Sequence, residues 1–217
     1  MSTLTLRGGV EVEHPLELML DFLEAYASYE LGGSSEPMSF DASDLKRANR
    51  GGARISATEQ RAILARHTEI DSALRDIGSA ASLTDAAIPW IALTRLFDGF
   101  ADIRGVGFSK MTKALYPKRP ALIPMLDSAV QKYLAGDDPG PRSSASFGER
   151  ATALVRGYKR ELDRNGVALQ ELRRQLARRG HRLTEVRIVD IVIWRIQADW
   201  RTKRRVLGEN AADAGSR

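Results

Sequence analysis

The chain has 217 residues, of which 43% are hydrophobic and 28% are charged, an ordinary balance for a globular protein. It contains no cysteine, which excludes disulfides, thiolate zinc sites and cysteine-ligated iron–sulfur clusters. No apolar run approaches the roughly 18 residues that a membrane span requires, and no apolar segment follows a basic start at the N-terminus. We therefore expect a cytoplasmic protein that folds as a single domain over residues 1–207.

The net charge of +5 is unevenly distributed along the chain. Residues 1–48 contain nine acidic and three basic residues, a net charge of −6, whereas residues 142–205 contain seventeen basic and seven acidic residues, a net charge of +10. A basic half beside an acidic half favours an oriented polyanion site, because phosphates would be attracted to one face only. Arginine-rich helix faces that are simply solvated would give the same counts.

The N-terminal third predicts a short β-hairpin followed by helices. A helix is expected from Pro15 to about Leu31, before a Gly/Ser/Pro loop over 32–40. Asp41 is predicted to cap a short helix that ends near Ala48, and residues 49–54 form a basic turn of unclear purpose. The hairpin is predicted around Gly8-Gly9 by the alternating apolar residues Leu4, Leu6, Val10 and Val12.

The middle of the chain carries further helix signals. Ser56 and Glu59 match the capping-box pattern and open a helix that runs to about Leu74. Thr84 is predicted to cap the next helix, which ends near Phe100.

Towards the C-terminus, a helix over about 109–116 and a proline-bearing connector lead to Asp127, which opens the helix that ends near Leu134. Residues 136–146 read as a linker. Two long helices are expected over 147–178, with Gly166 as a candidate break, and 184–204, before a disordered tail over 208–217. The pattern predicts an all-α fold.

A tight Gly-Val-Gly turn, Gly105-Val106-Gly107, separates two of these helices. Such a turn exposes backbone N–H groups at the start of the second helix, where the helix dipole also favours an anion. It is suited to binding a phosphate, because a side chain would block the close approach of the backbone. A Gly-x-Gly turn is also a common helix C-cap, so the turn alone leaves a purely structural role open.

The order of parts from Phe100 to Leu134 resembles the helix-hairpin-helix DNA glycosylase superfamily. Members carry a helix, a Leu-Pro-Gly-Val-Gly-like hairpin, a second helix, a connector with proline, and an aspartate that opens the next helix. Here the hairpin is Ile103-Arg104-Gly105-Val106-Gly107, and the aspartate segment begins at Pro124 and contains Asp127. Asp127 lies twenty positions after Gly107, as in the family's adenine and oxidised-pyrimidine branches, and the resemblance covers about 35 of 217 residues.

The resemblance implies a two-lobed helical fold, with residues 84–135 as the helix-hairpin-helix lobe and residues 1–83 together with 147–207 as the second lobe. It also implies that Asp127 is the catalytic carboxylate. That carboxylate would stabilise the positive charge that develops on the deoxyribose as the N-glycosidic bond breaks, and would orient water. A role as helix N-cap alone would equally explain an aspartate at this position.

In that family, a lysine two residues after the second hairpin glycine forms a Schiff base and cleaves the strand. Here that position is Ser109, which implies a monofunctional enzyme that leaves an abasic site. Lys110 lies about 100° further around the helix and is expected to meet a phosphate or solvent. Lys118 and Arg119, beyond the same helix, are candidate phosphate contacts, with solvated charges as the alternative.

A flipped-out base must be stacked against something. The aromatic candidates are Trp90, Trp194, Trp200, Phe97, Phe100 and Tyr133, although aromatics at helical spacing usually belong to the core. The three histidines are scattered, so we expect neither a metal nor a cofactor.

Hydrolysis of the N-glycosidic bond of a damaged or modified base in double-stranded DNA is therefore the function expected from the sequence, in repair or in defence against phage. We expect a monomeric, nucleoid-associated enzyme. Two alternatives stay open: a non-catalytic helix-hairpin-helix DNA-binding protein, and a helical protein-interaction or toxin-like protein whose basic face meets an acidic partner.

Overall fold

The structure, a computed structural model, describes residues 3–26, 36–135 and 144–197. Within these ranges the chain is mostly helical, as predicted, with one small antiparallel sheet at the N-terminus. Strand β1 (Leu4–Leu6) pairs with β2 (Val10–Val12). The two glycines of the connecting turn both have φ of 74°, a conformation that glycine adopts without steric cost. The predicted β-hairpin is confirmed.

Nine α-helices lie in the described ranges. They are α1 (Pro15–Ala25), α2 (Ala42–Arg50), α3 (Ala57–Leu64), α4 (His67–Ile77), α5 (Trp90–Asp98), α6 (Phe108–Leu115), α7 (Ser128–Leu134), α8 (Phe147–Arg178) and α9 (185–197). A 3-10 turn, Tyr116–Lys118, extends α6.

Two of the predicted caps are confirmed, and each forms a complete capping box. Asp41 accepts from the backbone of Ser43 at 2.7 Å and starts α2. Ser56 and Glu59 start α3. The single helix predicted from this box to about Leu74 is wrong, because the chain turns at Arg66 between α3 and α4. The Arg66 guanidinium donates to the carbonyl oxygen of Ala101 at 2.5 Å, a distant contact that local sequence does not reveal.

The helix predicted to begin after Thr84 instead begins at Trp90. Proline disfavours helical backbone in the residue before it, and Pro89 follows Ile88. The Thr84 hydroxyl bonds the Ser82 side chain instead of capping a helix.

Helix α8 runs without a break through Gly166. Helix α9 begins within one residue of its predicted start. The predicted extensions of α1 to 31 and of α9 to 204, most of the 136–146 linker and the tail over 208–217 lie outside the described residues.

The long helix α8 organises the core. Helices α5, α7 and α1 and strand β1 all pack against it, and the buried apolar side chains form one continuous cluster from β1 to α9. Fully buried Tyr158 of α8 donates its hydroxyl to the carbonyl oxygen of Val186 at 2.9 Å, which fixes α9 against α8. The division into two lobes stays a prediction.

None of the helices within the described ranges combines the length and the apolar character needed to cross a membrane.

Candidate active site

Asp127 is the N-cap residue of α7, and that part of its predicted role is confirmed. Its Oδ1 atom accepts from the backbone N–H groups of Ala129 at 2.8 Å and Val130 at 2.9 Å. The preceding residue, Leu126, donates its backbone N–H to the Thr112 hydroxyl of α6 at 3.0 Å. Both capping bonds use Oδ1, so the cap holds the carboxylate rigidly while Oδ2 takes part in neither bond.

Asp127 also lines a cavity of about 110 Å³, which its capping role does not require. Since a single water needs roughly 10–15 Å³ of such space, the cavity can hold several waters or a small planar ring. Its walls come from α1, α6, the connector before α7, α7 and α9. The lining residues are Phe22, Tyr26, Lys113, Met125, Asp127, Val130, Arg187, Asp190, Ile191 and Trp194.

One wall of the cavity is aromatic. Phe22 and Tyr26 of α1 stack with their ring centroids 4.8 Å apart. Trp194 of α9 meets both rings edge-on, at 5.8 Å from Phe22 and 5.5 Å from Tyr26. Tyr26 is 37% exposed, so this wall reaches the surface. Aromatic faces of this kind can stack against a planar ring, and they exclude water from the adjacent carboxylate.

A second carboxylate, Asp190 on α9, also lines the cavity. It is only 3% exposed, and its Oδ2 accepts from Nη1 of Arg187 at 3.0 Å. Burial raises the pKa of Asp190 to about 7, with the charge of Asp127 acting in the same direction and that of Arg187 opposing it. The cavity therefore contains two carboxyl groups in different environments, one held by a helix cap and one buried beside an arginine.

Of the aromatic candidates, Trp194 alone among those described lines this cavity. Phe97 and Phe100 are fully buried in the core. Trp90 lies under the guanidinium of Arg156, whose carbon is 4.3 Å from the ring centroid. The Tyr133 hydroxyl accepts from the backbone N–H of Arg7 at 2.9 Å. Trp200 lies outside the described residues.

The predicted hairpin connects α5 to α6. Gly105 has φ of 84° and Val106, which is buried, donates its N–H to the carbonyl oxygen of Ile103 at 3.0 Å. Gly107 is the extended N-cap residue of α6, with φ of −98° and no neighbour within 4 Å of the position where a Cβ would lie. The approach to the start of α6 is therefore open at Gly107.

Lys110 points towards α3. Its ammonium lies 2.7 and 2.8 Å from the two carboxylate oxygens of Glu59. Ser109, one residue earlier, is partly buried. Lys110 was expected to meet a phosphate or solvent, and its ion pair with Glu59 was not predicted. The two carboxylate oxygens of Glu59 already accept hydrogen bonds from the ammonium.

Lys118 and Arg119 are buried, so their interpretation as surface phosphate contacts is wrong. The Lys118 ammonium lies 2.7 Å from Oδ2 of Asp44 and donates to the carbonyl oxygen of Glu36 at 2.9 Å. Arg119 is 1% exposed and donates to the carbonyl oxygens of Leu74, Lys118 and Pro37 at 2.6 to 2.7 Å. Both side chains join the segment before α2 to the rest of the protein.

Of the aromatic and charged residues that line the cavity, the sequence interpretation missed five: Phe22, Tyr26, Lys113, Arg187 and Asp190. Only α9 offered a local signal. Arg187 and Asp190 are charged residues inside an otherwise apolar run, three apart, and a charge on the buried face of a helix is unusual unless it is paired or functional. Among the described residues, no cluster of histidine, aspartate and glutamate is suited to a metal ion.

A protein-family profile whose description reads family of unknown function, DUF6308, matches residues 22–197. This range begins at the first aromatic residue of the cavity wall and includes every residue that lines the cavity. Searches of the curated proteins and of the solved structures return no match. Because the profile covers most of the sequence, the chain belongs to the DUF6308 family.

Proposed function

We propose that this protein is a DNA glycosylase that hydrolyses the N-glycosidic bond of a damaged or modified base in double-stranded DNA and leaves an abasic site. The observation that carries the proposal is Asp127. Its carboxylate follows a Gly-x-Gly hairpin at the spacing of the helix-hairpin-helix glycosylases, is fixed by a helix cap through Oδ1, and lines an aromatic-walled cavity.

The chemistry of base excision fits these features. As the bond between C1′ and the base breaks, positive charge develops on the sugar, and a rigidly held carboxylate stabilises that charge more in the transition state than in the ground state. An enzyme acting on a base must first take it out of the helix, and a flipped base needs an aromatic surface on which to stack. Phe22, Tyr26 and Trp194 supply such a surface beside Asp127.

The hairpin supports DNA as the carrier of the base. No described atom lies within 4 Å of the position that a Cβ would take on Gly107, and the N–H groups at the start of a helix are a favourable place for a phosphate. The two-lobed helix-hairpin-helix fold and the monofunctional chemistry implied by Ser109 belong to the same proposal. Removal of damaged bases and removal of modified phage bases require the same sugar chemistry, and both are included in it.

The direct test is Asp127→Asn in a single-turnover excision assay. Asparagine is as good an N-cap residue as aspartate, so the variant should keep α7 and the fold while losing the negative charge. We expect the excision rate to fall by about 100-fold or more, with duplex affinity nearly unchanged. The probes are duplexes that carry single damaged or phage-type modified bases, read out by strand cleavage after alkali.

Asp41→Asn is a matched control, because Asp41 caps α2 in the same way but lies outside the cavity. It should leave excision unchanged. Duplex binding without excision of any probe by the wild-type protein would replace the proposal with a non-catalytic DNA-binding function. An Asp127→Asn variant that is folded and excises at the wild-type rate would remove Asp127 from the chemistry.

A further inference from the structure

The ion pair of Arg187 and Asp190 leaves one buried oxygen of the cavity without a partner. Asp190 Oδ2 accepts from Arg187, but its Oδ1 is fully buried and has no hydrogen-bond partner among the described residues. A buried polar atom left unsatisfied is costly, so natural proteins rarely keep one without a role. Asp190 lines the cavity, so an occupant of the cavity lies beside this carboxyl group.

Arg187 fixes the position of this carboxyl group. Its guanidinium carbon lies 5.6 Å from the ring centroid of Phe22 and 5.9 Å from that of Tyr116, and the whole residue is 4% exposed. A side chain held between two rings has little freedom to follow a moving partner. Arg187 is therefore a positioning residue, and Asp190 is held in one orientation at the cavity wall.

The charges around Asp190 come from each element packed against it. Burial is the largest influence and opposes ionisation, as do the charge of Asp127 and the nearby hydroxyl of Tyr158 on α8. Arg187 of the same helix and the nearby backbone N–H of Met125, in the connector before α7, stabilise the ionised form. Lys113 of α6 lines the same cavity. Because burial dominates and raises the pKa of Asp190 to about 7, Asp190 can carry a proton at neutral pH while Asp127 acts as the carboxylate.

We infer that Asp190 is the proton donor to the departing base, and that the substrates are bases that are uncharged in DNA and must be protonated in order to leave. This inference rests on the proposed function and names a second catalytic residue and a substrate class for the same site. Bases that already carry a positive charge, such as 7-methylguanine, leave without such help and form the contrasting class.

Excision by this route breaks one bond at C1′ and forms another. The bond from C1′ to the base nitrogen breaks and its electron pair goes to the base, which takes a proton from the Asp190 carboxyl group. Water bonds to C1′ of the resulting sugar cation, which Asp127 stabilises, and releases one proton. That proton restores the Asp190 carboxyl group, so the net reaction is the hydrolysis of one N-glycosidic bond.

The test compares Asp190→Asn with the wild-type protein on duplexes that carry one uncharged base (hypoxanthine, uracil or 8-oxoguanine) or the cationic base 7-methylguanine. General acid catalysis contributes about 10²- to 10⁴-fold, so the variant should lose about 100-fold or more in single-turnover rate on an uncharged base. On 7-methylguanine, if it is excised at all, the loss should be less than about threefold. Asp163→Asn, an exposed carboxylate on α8, is the control and should match the wild type.

The pH dependence gives a readout that a merely structural role would not produce. With Asp190 as the acid, the wild-type rate on an uncharged base should fall as the pH rises through about 7, because the deprotonated carboxylate cannot donate. Asp190→Asn should lose this fall, and Asp190→Glu should restore part of the rate together with the fall. The wild-type profile alone suffices if Asp190→Asn fails to fold.

The outcomes separate the two proposals. If the wild-type protein excises no base from any of the four duplexes or from the wider panel of modified bases, the proposed function fails and the inference falls with it. If it excises only 7-methylguanine, or excises an uncharged base at a rate that does not fall above pH 7, the glycosylase stands and the role of Asp190 is overturned. Equal rates for Asp190→Asn and the wild type on an uncharged base would likewise overturn it.

Discussion

Lys118 and Asp44 form an ion pair that is almost fully removed from water, with side-chain exposures of 2% and 0%. Taking away one partner of a buried pair leaves the other charge poorly compensated, which typically costs about 3–5 kcal/mol. We therefore expect Lys118→Met to lower the free energy of unfolding by about 3 kcal/mol or more, although methionine fills much of the same volume. Urea unfolding followed by circular dichroism measures the loss.

Lys132→Met, at an exposed lysine of α7, is the matched control and should change the unfolding free energy by less than about 0.5 kcal/mol. The folded fraction of Lys118→Met should bind duplex DNA as the wild type does, because its ammonium faces Asp44 and not the solvent. A stable variant with weakened DNA binding would show instead that Lys118 contacts phosphate.

Single residues were the hardest part of the site to predict. Lys118 and Arg119 look like solvated charges in sequence, since basic residues after a helix are usually exposed. Their burial depends on Asp44 and on carbonyl oxygens about 82 residues earlier in the chain. The capping role of Asp127, by contrast, was predictable, because its partners are two and three residues away.

At the scale of elements, the hairpin offers two glycines with different constraints. A Cβ at Gly105 would lie 2.2 Å from Oε1 of Glu59, which is itself held by Lys110, and the φ of 84° adds strain for any L side chain. At Gly107 the φ is −98°, and no described neighbouring atom lies within 4 Å of the position that a Cβ would take. A substitution at Gly105 therefore tests the structural role of the turn, whereas one at Gly107 tests a role in binding DNA.

We expect Gly105→Val to lower the free energy of unfolding by about 1–3 kcal/mol. Gly107→Val should lower it by less than about 1 kcal/mol, the usual cost of a poorer N-cap residue, yet weaken binding to matched and modified duplexes alike, since the hairpin contacts backbone and reads no base. Fluorescence anisotropy on both duplexes checks this. Unchanged affinity for Gly107→Val would mean that the hairpin does not approach DNA, and a loss confined to one base would mean that it reads sequence.

Which elements could be predicted follows from how local their signals are. The caps at Asp41, Ser56 and Asp127 rest on contacts within three residues and were found from sequence. The break at Arg66 rests on a contact with Ala101, 35 residues away, and was missed. At Gly166 the opposite occurred: a glycine costs a helix only about 1 kcal/mol, and the buried leucines on either side of it hold α8 together.

At the scale of the whole molecule, the cavity is assembled from segments that are distant in sequence. Phe22 and Trp194 touch across 172 positions, near the two ends of the described chain. The order of the hairpin and the aspartate in the sequence identified one carboxylate of the cavity, Asp127. The second carboxylate, Asp190, and the aromatic wall could not be identified in this way, because they depend on how α1 and α9 pack around α8. Periodicity identified α9 as a buried helix without indicating which buried positions border a cavity.

If the protein acts as the proposed glycosylase, the same assembly decides which amines can reach the sugar, and therefore whether it also has lyase activity. A Schiff base requires an uncharged amine near C1′ of the deoxyribose. Ser109 offers none, Lys110 is paired with Glu59, and the Lys113 ammonium, although it lines the cavity, lies 3.5 Å from the carbonyl oxygen of Gly52. We therefore expect the proposed glycosylase to hydrolyse the N-glycosidic bond without cleaving the strand.

Borohydride trapping tests this expectation, because it converts a Schiff base into a covalent cross-link. Wild-type protein incubated with substrate duplex and borohydride should give no cross-linked band, and strand breaks should appear only after alkali or heat. Ser109→Lys should gain weak trapping if the register of the hairpin is as assigned. A strong wild-type cross-link that disappears in Lys113→Ala would identify the cavity lysine as the nucleophile. A cross-link that disappears in Lys110→Ala would shift the hairpin register by one residue. Either result would replace the proposed monofunctional glycosylase with a bifunctional one.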